Sequence, residues 1–187
     1  MRDGFKQLII GFLFVLIKIH IVVDLLPDFL GYIFIYNGIK QIATLSSQSY
    51  EKLKILSIVL VIASIPNFFL NDQVIQQSGW FSYYPIFLSL LKVILVYFLF
   101  DLLRGVAKLL PSNGVLQTTN RMYTWYLTIV LGSLFVQSLL MNFPINIAFS
   151  AMIFIVISVL VIEISFLFYL RNMQKRFPSD GLFNIYS

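Results

Sequence analysis

Six long apolar stretches, separated by short polar breaks, decide what this chain can become: they fall at residues 8–26, 29–42, 55–70, 85–103, 123–141 and 145–170. In hydrocarbon no water satisfies the backbone, so a stretch of this kind crosses a bilayer as a helix that bonds its own amides. Each crossing needs about 20 residues, so six take about 120 and leave about 65 for loops and tails, too few for a separate soluble domain. Composition agrees, with 59% of the 187 residues hydrophobic and 11% charged, where a soluble domain carries about 25% charged residues. The expectation is an all-α fold, a polytopic integral membrane helical bundle of six transmembrane helices forming a single transmembrane domain over residues 1–187. The second stretch is short: about 14 residues rise roughly 21 Å, less than the roughly 30 Å hydrocarbon core, so it is expected to tilt in a thinned region or to be partly re-entrant. The first stretch follows Arg2 and Lys6 as a signal peptide would. No small-residue cleavage site follows it and polar positions His20, Asp24 and Asp28 come next, so it reads as a span.

Six spans put both termini on one side, and the basic residues then separate by side. One side holds Arg2, Lys6, Lys40, Lys52, Lys54, Arg104, Lys108, Arg121, Arg171, Lys175 and Arg176, while the opposite loops around 26–28, 71–84 and 142–144 hold no lysine or arginine. The positive-inside rule makes that side cytoplasmic, with both termini on it. Removing the second span would move every later loop across the membrane and scramble this pattern, so the charge distribution also argues for the short span. Aromatic residues fall at two levels: Trp80, Phe81, Tyr83 and Tyr84 at the outer headgroup layer, and Tyr123, Trp125, Tyr126, Phe168 and Tyr169 at the inner one. The net charge of +5 is therefore a topology signal facing anionic lipid. Nucleic-acid binding is excluded as a reading, because it needs a folded basic surface and the longest inner segment, 104–122, reads as a linker with Pro111, Ser112, Asn113 and Gly114.

Ionisable groups inside the stretches carry the functional information, since each costs on the order of 2.5 to 3.5 kcal/mol at mid-span on insertion scales. They are Lys18, His20, Lys92 and Glu163. At 1.5 Å per residue Lys18 and Lys92 lie roughly 16 Å from the inner ends of their helices and Glu163 roughly 10 Å, offsets a lysine side chain can cover. The first, fourth and sixth helices are thus expected to meet where Glu163 pairs with one or both lysines. A structural ion pair that fixes packing is the plain reading of such a cluster. Two ammonium groups against one carboxylate also leave an excess positive charge suited to a phosphate, a carboxylate or a lipid headgroup, and Glu163 with His20 suggests a proton relay. His20 and Asp24, four apart, share a helical face; they read either as a packing hydrogen bond or as an acid–base pair. Together Lys18, Lys92, Glu163, His20 and Asp24 form the candidate substrate site.

The segment Asp24-Leu25-Leu26-Pro27-Asp28-Phe29-Leu30-Gly31-Tyr32 is the most motif-like part of the chain. Pro27 fits the first turn of the second helix, Asp28 lies where the helix dipole favours a carboxylate, and Gly31 offers a close-approach face. In physical terms this is a tight outer hairpin; its two carboxylates could instead line an outward-facing cation or partner site. The pattern, borne by Asp24, Pro27, Asp28, Gly31 and Tyr32, resembles the hallmark of small, uncharacterised multi-spanning membrane proteins of Gram-positive bacteria. The likeness covers about the first 40 residues. It implies a bacterial plasma-membrane setting and no particular activity.

Other polar positions are few. Ser64, Asn67 and Asn71 share one face of the third helix, and Ser138 and Asn142 one face of the fifth, as side chains that join helices in lipid do. Pro66 is expected to kink the third helix and free carbonyls beside Asn67. Leu16-Ile17-Lys18 with Asp24-Leu25-Leu26 echoes Leu90-Leu91-Lys92 with Asp101-Leu102-Leu103, as an inverted repeat of three helices would, though at unequal separations. The chain has no cysteine, which excludes thiolate chemistry and Cys-ligated metals. No Gly-x-Ser-x-Gly elbow, second histidine or His-Glu-x-x-His helix is present, so no catalytic, metal or cofactor site is expected. The expected partners are membrane lipids, an anionic lipid or metabolite, and a second copy or another membrane protein. Two functions fit: a small transporter or lipid translocase with a midplane site for an anionic group, or a non-catalytic interaction protein such as a membrane subunit, sensor partner or immunity-type factor.

Overall fold

A computed structural model describes residues 2–20, 28–44, 50–69, 84–110, 113–140 and 142–177. Among them there are six helices and no strand: α1 (Arg2–His20), α2 (Asp28–Ala43), α3 (Glu51–Phe69), α4 (Tyr84–Lys108), α5 (Asn113–Leu140) and α6 (Ile145–Arg176). Each helix packs on the next in sequence, and α6 packs back on α1, so the six close into a ring. Three of them, α4, α5 and α6, are long and apolar enough to cross a membrane.

Side-chain contacts fix the direction of each helix. Gly4 meets Ile42 and Gly11 meets Gly31, so α1 and α2 are antiparallel. Phe5 stacks on Phe177 and Phe12 meets Phe166 edge-on, which sets α1 antiparallel to α6. Tyr97 with Tyr123, and Arg104 with Asn120, do the same for α4 and α5. The Gln174 side chain donates to the Arg2 carbonyl, so the start of α1 and the end of α6 lie at one end of the bundle. That end also carries Arg104, Arg121, Lys175 and Arg176.

Two kinds of contact build the interior. Between α1 and α2 the backbones touch: a Cβ on Gly11 would lie 2.6 Å from the Gly31 carbonyl oxygen, one on Gly31 would lie 2.9 Å from that of Gly11, and one on Gly38 would lie 2.8 Å from that of Gly4. Small residues permit this approach, which brings the two backbones into van der Waals contact. Between α1, α4, α5 and α6 the contact is aromatic, with Phe166 5.3 Å from both Phe100 and Tyr126. The α4–α5 contact is therefore aromatic where α1–α2 is glycine-mediated, and the two halves do not repeat one another's packing.

The outside is apolar. Ile62, Phe135, Phe149, Phe154 and Phe168 are all more than 60% exposed, an arrangement that water would not tolerate across so many helices and lipid would.

Two expectations need correction in detail, and one helix starts earlier than its apolar stretch. Residues 113–122 are helix, although the segment 104–122 reads as a linker: α5 starts at Asn113, ten residues before the apolar stretch, and only 109–112 lie outside helix or described residues. The reason is amphipathic packing, because Val115 and Thr119, one turn apart, are buried while Gly114, Thr118 and Asn120 beside them are exposed. Tyr126 and Tyr169 do not join an interfacial belt; they are 1% and 7% exposed and belong to the aromatic interior. At about 100° per residue, adjacent Trp125 and Tyr126 cannot both face lipid, and Trp125 is the one that does, at 58% exposure. Helix α1 begins at Arg2, before the apolar stretch that starts at Leu8.

Candidate functional site

The apolar stretch of α4 is interrupted by one lysine and that of α6 by one glutamate, and the fold brings the two together. The Lys92 ammonium lies 2.5 Å from a Glu163 carboxylate oxygen, with both side chains largely buried. Helices α4 and α6 are not neighbours in the ring, so the pair crosses the bundle interior. Along the helices, Lys92 lies roughly 18 Å from Arg104 and Glu163 roughly 12 Å from Arg171, which sets the pair well inside the basic end.

Two buried tyrosines feel the charge of the carboxylate. Tyr32 on α2 and Tyr126 on α5, both buried, lie within electrostatic range of Glu163. One turn further along α6, Phe166 packs on Phe12, Phe100 and Tyr126. Four helices thus contribute to one polar island in an apolar interior. Its described charges balance, one ammonium against one carboxylate, and low local dielectric makes each depend on the other.

The remaining sequence candidates are distributed unevenly. Lys18 and His20 belong to the last turn of α1, and their side chains lie outside the described residues, as do Asp24 and Pro27 entirely. Asp28 occupies the first turn of α2, where its charge favours the helix N-terminus. It acts electrostatically on Tyr32 and on Tyr84, the first residue of α4. Tyr32 is buried one turn beyond Asp28, so the hairpin motif leads inward from the helix end to the neighbourhood of Glu163. Gly31 makes the close approach to α1 that its position suggests.

Near the same end, the Tyr84 hydroxyl donates to the Ala63 carbonyl, three residues before Pro66. Pro66 supplies no amide hydrogen to the Ile62 carbonyl, and the Tyr84 bond to the adjacent Ala63 carbonyl ties α4 to that turn without replacing the missing one. Asn67 is in the same helix, with its side chain outside the described residues. Ser64 bonds the Val61 carbonyl within its own helix.

Several participants carried a signal that a search for charges passes over. Gly4 and Gly11 on α1 share the seven-residue spacing of Gly31 and Gly38 on α2. Thr119 and Tyr169 share a buried hydrogen bond of 2.8 Å between α5 and α6. Arg104 donates to Asn120 and lies over the Tyr123 ring, 3.9 Å from its centroid. Among the described residues no group of three or more His, Cys, Asp or Glu could hold a metal ion. No protein family, curated protein or solved structure matches the chain.

Proposed function

We propose that the protein is a six-pass membrane protein of the bacterial plasma membrane, with both termini cytoplasmic, that moves an anionic group across the bilayer through the Lys92–Glu163 site. The moving group is the headgroup of an anionic lipid or a small anionic metabolite. The observation that carries this reading is the buried ion pair joining two helices that are not neighbours. Ionisable residues are costly at this depth and mark substrate or proton paths in membrane proteins. In this reading Glu163 occupies the ammonium of Lys92 while the site is empty. An incoming phosphate or carboxylate displaces it, and Lys18, on the neighbouring α1, supplies the second positive charge. The assignment involves no catalysis and no cofactor. The basic end and the resemblance of the Asp24 to Tyr32 segment to small Gram-positive membrane proteins support the orientation and the setting.

The second reading, a non-catalytic interaction protein acting through a membrane partner or a second copy, is favoured by the exposed Phe149, Phe154 and Phe168 along α6. Reconstitution separates the two. Vesicles containing wild type are expected to speed either the transbilayer movement of fluorescent phosphatidylglycerol or the efflux of labelled phosphate, and Lys92→Gln to return that rate to the protein-free value. Acceleration of the lipid alone identifies a lipid translocase, and of phosphate alone a small-anion carrier. Wild-type rates equal to protein-free rates in both arms would sink the transport reading and leave the interaction protein.

A further inference from the structure

Away from the ion pair, α5 and α6 leave an open groove of about 650 Å³ at the basic end of the bundle. Its walls include Trp125 and Phe168, respectively 58% and 61% exposed. Its rim carries Arg121 from α5 and Lys175 and Arg176 from α6. Among the described residues no carboxylate lines it, and none of the three cations is ion-paired with a described residue. The floor is fixed, because Tyr169 is tied to Thr119 and Met173 is buried.

The order of chemistry along the groove is what matters. Arg121 stands one helical turn, roughly 6 Å, beyond Trp125 toward the basic end. Cations therefore sit above an aromatic wall, and Val161, seven residues before Phe168 on the same face of α6, continues that wall as exposed apolar surface toward the middle of the helix. An anionic phospholipid has the same order, a phosphate above and hydrocarbon below. An acidic protein segment would match the rim and leave the aromatic wall without a partner.

We propose that this groove binds an anionic phospholipid, with its phosphate held by Arg121, Lys175 and Arg176 and an acyl chain lying on Trp125 and Phe168. Basic pockets between helices at the cytoplasmic interface recognise such headgroups. The site requires that α5 and α6 cross the membrane, and it is independent of the Lys92–Glu163 site and of any transport.

Fluorescence of Trp125 tests this. The chain contains two tryptophans, and Trp80→Phe leaves Trp125 as the sole reporter. In nanodiscs of phosphatidylcholine, headgroup spin-labelled phosphatidylglycerol is expected to quench Trp125 more than equally labelled phosphatidylcholine at the same mole fraction. Each cation near the surface should contribute roughly fivefold to that preference. Arg121→Gln with Lys175→Gln and Arg176→Gln should abolish it. Lys6→Gln with Lys40→Gln and Lys52→Gln, which remove three exposed cations from the same end but outside the groove, should not. Equal quenching by both lipids in the wild-type background needs no folded variant to interpret and overturns the proposal. A preference lost equally in both triple variants also overturns it, since it would reflect surface charge alone. Exclusion of both labels by dimerisation would assign the groove to a second copy instead.

Discussion

Lys92 and Glu163 depend on each other because each would otherwise be a lone charge in an apolar interior. Removing one partner of a buried pair costs about 3–5 kcal/mol. Lys92→Gln and Glu163→Gln should each lower the thermal midpoint of the detergent-solubilised protein, while the double substitution should recover most of the loss. Additive losses in the double variant would show that the two groups do not interact in the folded protein. The Thr119–Tyr169 hydrogen bond is a smaller quantity: Tyr169→Phe should cost about 0.6–1 kcal/mol, in line with interhelical hydrogen bonds in lipid, and Thr119→Val should add nothing further in its presence. The ion pair was legible in the sequence because a charge inside an apolar stretch stands out at once and its depth can be counted along the helix. Tyr126 and Tyr169 were not, because an aromatic residue near a headgroup layer suits either a belt or a core. Only helical phase separates Tyr126 from its exposed neighbour Trp125.

Helix α1 meets α2 through glycine and α4 meets α5 through rings, and substitutions should respect that division. Gly11→Val places side-chain atoms where the Gly31 carbonyl and Ile35 lie, an overpacking that typically costs about 1–3 kcal/mol. Gly132→Ala meets nothing within 4 Å and should leave the thermal midpoint unchanged. If Gly11→Val proved as mild as Gly132→Ala, the close α1–α2 approach would be wrong. The apolar stretches located the six helices of the described residues, since the requirement for hydrocarbon-compatible backbone leaves a long apolar run little choice. Helix ends were harder to read. Asn113 and Gly114 resemble linker residues, yet α5 begins there because the turns beyond the apolar stretch still bury Val115 and Thr119 on one face. Matching glycines seven residues apart on two consecutive helices were a readable sign of the α1–α2 contact, hidden by attention to Gly31 alone.

At the scale of the molecule, the described residues form six helices that close into a ring with an apolar exterior, a basic end and one charged pair inside. With no native cysteine, single introduced cysteines report sidedness without background. In intact cells Ser82→Cys should react with an impermeant maleimide, and Ser112→Cys should react only after the membrane is opened; the reverse pattern would invert the proposed orientation. In the proposed function Lys92 holds an anion for which Glu163 competes. Native mass spectrometry of protein gently extracted from its membrane tests this directly, comparing the unaltered pair with Lys92→Gln and Glu163→Gln. All three should carry Arg121→Gln, Lys175→Gln and Arg176→Gln, so that lipid bound in the α5–α6 groove does not contribute. An anionic lipid or metabolite should be retained most by Glu163→Gln, less by the unaltered pair and least by Lys92→Gln. Equal retention by all three, or a stoichiometric protein partner with no such ligand, would contradict it and leave the pair as a packing device.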